Sequence, residues 1–320
     1  MHILPLLILL LLIIIVCIVI IVINKKTNKN IYGGKQNETK PVIILFNGFA
    51  SSPAFWNYAY NGTSKLKKLN FVEHLNNIGD VYKVEFPFFN LNYYIPHPDP
   101  KEDKKWYNIM KNYSTYNPNI NFHIEDLDYK NICVKTNTDI IKKFGKNRKI
   151  IVIGHSYGGP LALLYSKLFK VHCCVVLDSA PYVLNFYKKH DNNELKKEIA
   201  TYNNDIELQK LLKSLKKSTD DNKTREIGDK IFKLIEYKSS QDRIKYYDDV
   251  LHVPTIFVTS INDDTEERNI FNKQCKDHFE NDPNLIEYKL FKNKPHFLWW
   301  DQKTSNYIIN KIQTSLKKLN

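Results

Sequence analysis

A chain of 320 residues with 43% hydrophobic and 25% charged side chains has the make-up of a globular protein and not of a disordered one. Its formal charge is +13, yet only four of the 47 basic residues are arginine, the side chain whose planar fork grips phosphates and reads base edges. A lysine excess of this kind, with no basic stripe interleaved with aromatics, sets nucleic acid aside as a partner and fits attraction to an anionic membrane surface better.

The first element is apolar. Residues 3–23 carry no charge and, as a helix rising 1.5 Å per residue, would span roughly 30 Å, the thickness of a bilayer core. The run is too long for the apolar part of a signal peptide, nothing basic precedes it and no small-residue cleavage site follows, so an uncleaved single-pass transmembrane anchor is expected. Lys25, Lys26, Lys29 and Lys35 follow the run and none precedes it, which places the main domain on the cytoplasmic side by the positive-inside rule. Four N-x-[ST] sequons, at Asn37, Asn61, Asn112 and Asn222, point the other way, but a chain this rich in Asn produces about that many by chance.

After a polar linker at 24–39, strands and helices alternate. Residues 41–46 are a continuous apolar run ending in Asn47-Gly48, the pattern of a buried parallel strand that stops at a tight turn. A helix is expected at 71–78 and a strand at 81–86. The aromatic, Pro- and Asn-rich stretch 90–122 shows no period and reads as an elaborated loop near a site. A helix at 124–144, a strand at 149–153, a helical run at 160–169 and a strand at 171–177 follow. Residues 185–248 interrupt the alternation with charged, helical sequence whose apolar positions recur at helical spacing (Leu208, Leu211, Leu212, Leu215; Ile227, Ile231, Leu234, Ile235). Strands at 254–258 and 285–291 and a helix near 305–319 complete the chain.

The chemistry concentrates at Gly154-His155-Ser156-Tyr157-Gly158. A G-x-S-x-G pattern that leaves an apolar strand and enters a helix is the setting in which a serine projects from a strained turn as a nucleophile. A Cβ at either glycine would crowd the neighbouring strand or helix, and the helix that follows aims its N-terminus at the charge formed during attack. The five cysteines include no C-x-x-C pair, so neither a zinc site nor a redox motif is expected.

From residue 41 to the C-terminus the chain resembles the α/β-hydrolase family. The resemblance implies a mostly parallel sheet of about six strands flanked by helices. The expected layout is an anchor at 3–23, a linker at 24–39 and a hydrolase domain at 40–320 with an inserted helical lid at 185–248. In that family a strand ends in H-G-x and the backbone N–H after the glycine donates to the oxyanion. Phe46-Asn47-Gly48-Phe49 is similar with Asn in place of His, which implies Phe49 N–H as one donor and Tyr157 N–H as the other. The family's chain order of Ser, acid, His implies Asp263 as the acid, beyond the strand at 254–258, with Asp264 and Asp178 as alternatives. It implies His296, in the loop after the last strand, as the base. Two features depart from the pattern: Phe86-Pro-Phe-Phe-Asn replaces the usual D-x-x-G-x-G-x-S segment, and too few residues precede Pro41 for the family's N-terminal antiparallel hairpin.

The reading is a membrane-anchored serine hydrolase of carboxylic, lipid-like esters, working through an acyl-enzyme on Ser156 with no metal or organic cofactor. Its partners are the lipid bilayer and a small or lipid-like ester. The bilayer anchor, the aromatic loop and Phe297-Leu298-Trp299-Trp300 beside the expected base favour an apolar acyl group. The same triad would equally serve an acyltransferase or thioesterase. A catalytically silent, membrane-bound interaction protein is the alternative of another class; such a protein has no chemical need for nucleophile, acid and base together.

Overall fold

The computed structural model describes residues 40–49, 53–60, 66–88, 91, 121–179, 205–246, 249–261 and 266–318. The expected anchor at 3–23, the linker, most of the 90–122 loop and the 185–204 part of the insertion lie outside the described residues. Among the described residues no helix is long and apolar enough to cross a membrane. Lys40–Asn320 forms one compact unit.

Its centre is a six-stranded parallel sheet. In chain order the described strands are β1 (Val42–Phe46), β2 (Tyr58–Tyr60), β3 (Leu66–Lys68), β4 (Asp80–Lys83), β5 (Ile150–His155), β6 (Cys173–Leu177), β7 (Thr255–Ile261) and β8 (Leu285–Lys292). The large sheet runs β4-β1-β5-β6-β7-β8, and β2 and β3 form a separate antiparallel pair. The helices are α1 (Phe71–Ile78), α2 (Tyr129–Phe144), α3 (Gly158–Leu168), α4 (Asp205–Lys217), α5 (Asp221–Tyr246), α6 (Glu266–Phe279) and α7 (Gln302–Lys318).

The apolar runs have a simple cause. Strands covered on both faces must be apolar at every position, and the two-residue period deals alternate side chains to opposite cores. Val42, Ile44 and Phe46 join Val152, Cys174 and Val176 beneath α2, α3 and the inserted helices. Ile43 and Leu45 join Ile151, Ile153, Val175 and Leu177 against α1 and α7. Helices on both faces, this strand order and a sharp strand–turn–helix at Ser156 make this an α/β-hydrolase fold.

The order also locates the site. The chain moves from β1 outward to β4, then returns to place β5 on the other side of β1. At such a switch point the loops leaving the carboxyl ends of the two strands diverge and open a crevice. Those loops begin at Asn47 and Ser156, because Phe46 is paired in register with Gly154.

Several elements differ from expectation for local reasons. The helix expected at 124–144 is two pieces, a 3-10 turn at Ile124–Leu127 and α2. Asp128 separates them by capping α2, its side chain accepting from the N–H groups of Lys130 and Asn131. The strand expected at 81–86 ends at Lys83. The final helix starts earlier than expected, at Gln302, where Asp301 accepts from both the N–H and the hydroxyl of Thr304. The 58–68 pair and α6 carry no strong period, and the sequence alone does not predict them.

The described part of the insertion, α4 and α5, is fastened at two places. On α5, Asp242 is buried and accepts from Tyr129 N–H at 2.9 Å and Lys238 Nζ at 2.9 Å, while Tyr129 Oη and Ser239 Oγ share a hydrogen bond of 2.5 Å. At the start of α4, Asp205 bonds His123 Nδ1 at 2.8 Å and Ile124 N–H at 3.0 Å. The hydrogen bond and charge of Asp205 raise the His123 pKa above its ordinary value, and the His123 contact lowers that of Asp205. A raised histidine pKa stabilises the fold fully below the unfolded value of about 6.5 and loses that contribution as pH rises through the folded value. The depressed aspartate value makes its own contribution vanish as pH falls through it. The latch is therefore strongest between the two. NMR titration of His123 is expected to give a pKa above that of a free histidine, and Asp205→Asn to return it to the ordinary range; an unshifted wild-type titration would count against the latch.

Candidate active site

The turn at Ser156 is tight on every side. Ser156 has φ 51°, in the left-handed region that a non-glycine residue occupies at a cost of order 1–3 kcal/mol. Its N–H donates to Leu177 O at 3.0 Å, and its carbonyl accepts from Gly159 N–H at 3.0 Å, which turns β5 into α3 within three residues. The glycines fit because of contact distance. A Cβ on Gly154 would lie 2.1 Å from Gly158 O, and one on Gly158 would lie 2.3 Å from Phe46 O. Helix α3 is thereby pressed against the end of β1.

The two expected oxyanion residues adjoin each other through their side chains. The rings of Phe49 and Tyr157 lie 5.7 Å apart. Tyr157 is buried against Phe86, Phe88 and Tyr129, and burial drives its phenol pKa far above the ordinary value, so it stays neutral. Asn47, which stands where the family has His, is buried and doubly tied. Its Nδ2 donates to Val84 O at 3.1 Å and its Oδ1 accepts from Trp56 Nε1. It fixes the end of β1 to the chain that leaves β4.

The carboxylate bonded to His296 is Asp178. Asp178 follows β6, with N–H to Val258 O at 2.7 Å, and His296 Nδ1 lies 2.7 Å from its Oδ2. The Asp178 side chain is fully buried and that of His296 is 40% exposed, so one end of the imidazole is anchored and the ring reaches solvent. Asp178 Oδ1 accepts from Thr259 Oγ1 and Ser260 N–H, each at 3.0 Å. Asp263 and Asp264 lie outside the described residues. The end of β7, where the sequence placed the acid, supplies the donors that hold Asp178.

The loop carrying His296 is suspended by its backbone. Ser260 Oγ donates to Lys294 O at 2.8 Å and accepts from Lys294 N–H at 3.2 Å, and His155 Nε2 is 3.0 Å from His296 O. Aromatic side chains brace it from behind. Trp299 is buried and stacks on Trp56 at 4.1 Å, with its Nε1 donating to Phe55 O at 2.8 Å; Trp300 stacks on Phe297 at 4.5 Å. Both tryptophans therefore pack within the domain. His278, another histidine followed by Phe, ends α6 and bonds Asp249 O at 3.2 Å.

One signal was not visible in the sequence. Among the described residues, the non-glycine positions with positive φ are Ser156, Asp178 (45°) and Asn293 (51°). They fall in three separate loops, those that carry Ser156, Asp178 and His296. Strain concentrated this way is common at active sites, where surrounding structure over-determines the backbone.

No family model matches the chain, and no curated protein matches it. Solved structures similar to it include MenH from S. aureus, at 15% identity over 90% of this chain and 97% of that one, with a TM-score of 0.49. MGS-MChE2, an α/β hydrolase from a lagoon-sediment metagenome, is 11% identical over 87% and 91%, with a TM-score of 0.47. The serine hydrolase CarC, involved in carbazole degradation, is 14% identical over 88% and 92%, also with a TM-score of 0.47.

Proposed function

We propose that the chain is a serine hydrolase that cleaves carboxylic esters through an acyl-enzyme on Ser156, with Asp178 as the acid and His296 as the base. The observation that carries this is the 2.7 Å hydrogen bond from His296 Nδ1 to a fully buried Asp178, in a loop hooked to the residue preceding a strained Ser156. Because the carboxylate accepts at Nδ1, Nε2 keeps its lone pair and is the base. His296 Nε2 takes the Ser156 proton as Oγ bonds the acyl carbon. The tetrahedral oxyanion is met by the N–H groups of Phe49 and Tyr157, and the imidazolium returns its proton to the leaving alkoxide as the ester C–O bond breaks. Water then repeats the sequence and releases the acid.

The apolar run at 3–23 supports a membrane-tethered enzyme, with Lys25, Lys26, Lys29 and Lys35 favouring a cytoplasmic catalytic domain. A lipid-like acyl group and a lid role for the insertion are favoured by Phe232 of α5, whose ring packs 5.6 Å from Phe49, beside one proposed oxyanion donor.

A fluorophosphonate probe tests the reading without knowledge of the substrate. The full-length protein in detergent is expected to become labelled, with the adduct on the peptide containing Ser156, and Ser156→Ala to remain unlabelled. Absence of wild-type labelling, or equal labelling of the variant, rejects the enzyme. A series of esters of increasing acyl length, with and without an alcohol acceptor, then separates hydrolase from acyltransferase.

A further inference from the structure

We propose that His155 is a positioning residue that holds the base loop through a hydrogen bond from its Nε2–H to the His296 carbonyl, a role that rests on the hydrolase reading above. His155 ends β5 and directly precedes Ser156, so whatever it grips is placed relative to the nucleophile. It is buried, and the contact to His296 O measures 3.0 Å. A carbonyl oxygen only accepts, so Nε2 must carry hydrogen. His296 shows the opposite tautomer, with Nδ1–H fixed by Asp178. The two imidazoles lie 4.5 Å apart with their protonation patterns set by different acceptors.

Trp299 lies 4.8 Å away edge-on, Phe297 at 5.0 Å and Trp56 at 6.3 Å, so aromatic rings pack around the His155 imidazole. A second cation 4.5 Å from His296 would oppose the positive charge that His296 gains during attack. The geometry is that of a donor at Nε2, and an apolar ring of similar size would fill the space without providing it. The hook complements Ser260, which grips the same loop two residues earlier at Lys294. Ser260 N–H also holds Asp178, so Ser260 couples base to acid while His155 couples base to nucleophile.

Two measurements on the full-length protein in detergent decide it. In ¹⁵N NMR of the imidazoles of folded wild-type protein, His155 is expected to carry hydrogen on Nε2; an Nδ1–H tautomer, with Nε2 bare, overturns the proposal. The second measurement is the rate constant for fluorophosphonate labelling. His155→Phe is expected to slow it by about 10- to 100-fold, the loss that misplacement of a reacting group by about 1 Å brings, with the thermal transition close to wild type. His155→Gln, whose amide nitrogen can reach the same carbonyl, is expected to recover most of the rate. Wild-type labelling by His155→Phe, or an equal loss in both variants, reduces His155 to packing and overturns the proposal. If wild-type protein does not label at all, the hydrolase reading falls, while the tautomer measurement still tests the hydrogen bond.

Discussion

Asp178→Asn is expected to lower kcat/KM for ester hydrolysis by about 10⁴, as loss of the triad carboxylate does elsewhere, while Asp263→Asn and Asp264→Asn stay within a few-fold of wild type. The reason lies in what already surrounds the carboxylate. Thr259 Oγ1 and Ser260 N–H both donate to Oδ1. An asparagine at 178 would turn its carbonyl oxygen toward these donors and present its NH₂ to His296. Nδ1 would then have to accept, and the proton would move to Nε2, where it blocks the base. The variant would lose the anion and gain the wrong tautomer with scarcely any change in shape. Thermal unfolding close to wild type together with slow turnover is the expected signature. A larger loss in Asp263→Asn than in Asp178→Asn would move the acid to the other strand.

That test falls where sequence reasoning reached its limit. The apolar runs at β1, β5 and β6 were legible because strands buried on both faces leave no alternative composition. The strand–turn–helix at Ser156 was legible because its turn needs small residues at fixed offsets. The place of His296, in a loop after the last strand, was legible as well. The acid was not. β6 and β7 are parallel neighbours, with Leu177 registered on Val258 and Asp178 N–H bonded to Val258 O. Asp178 at the end of β6 and an acid just beyond β7 therefore start from adjacent points on the same sheet edge. The turn of Asp178 toward the histidine goes with its left-handed φ and with the hydroxyl of Thr259, neither of which leaves a local pattern in the chain. Ser260 shows the same limit from the other side. In the fold its N–H braces Asp178 and its hydroxyl braces Lys294. Asn47 likewise stood out as a departure from the H-G-x pattern, and its use as a buried clamp on Val84 and Trp56 emerges from contacts 37 and 9 residues distant.

Glycine substitutions separate contact from conformation. Gly154→Ala is expected to destabilise the domain by about 3–5 kcal/mol, at the upper end of single-substitution effects. Its Cβ would lie 2.1 Å from Gly158 O, 2.6 Å from Gly158 C and 2.7 Å from Ala162 Cβ. Two of the three obstacles are main-chain atoms of the nucleophile turn, so no rotamer change relieves them, and α3 would have to lift from β5. Gly145 provides the contrast. It ends α2 at φ 88°, with nothing within 4 Å of an added Cβ, so Gly145→Ala pays backbone strain alone, about 1–2 kcal/mol. Urea unfolding of both variants is the check, with the midpoint of Gly154→Ala expected well below that of Gly145→Ala at similar slope. Equal midpoints would mean that α3 can back away from the sheet at little cost. Such freedom would be incompatible with the fixed approach of helix to strand that positions Ser156 at the switch point. The stability of Gly154→Ala thus measures how rigidly the fold holds the proposed nucleophile, a property that assays of turnover mix with chemistry.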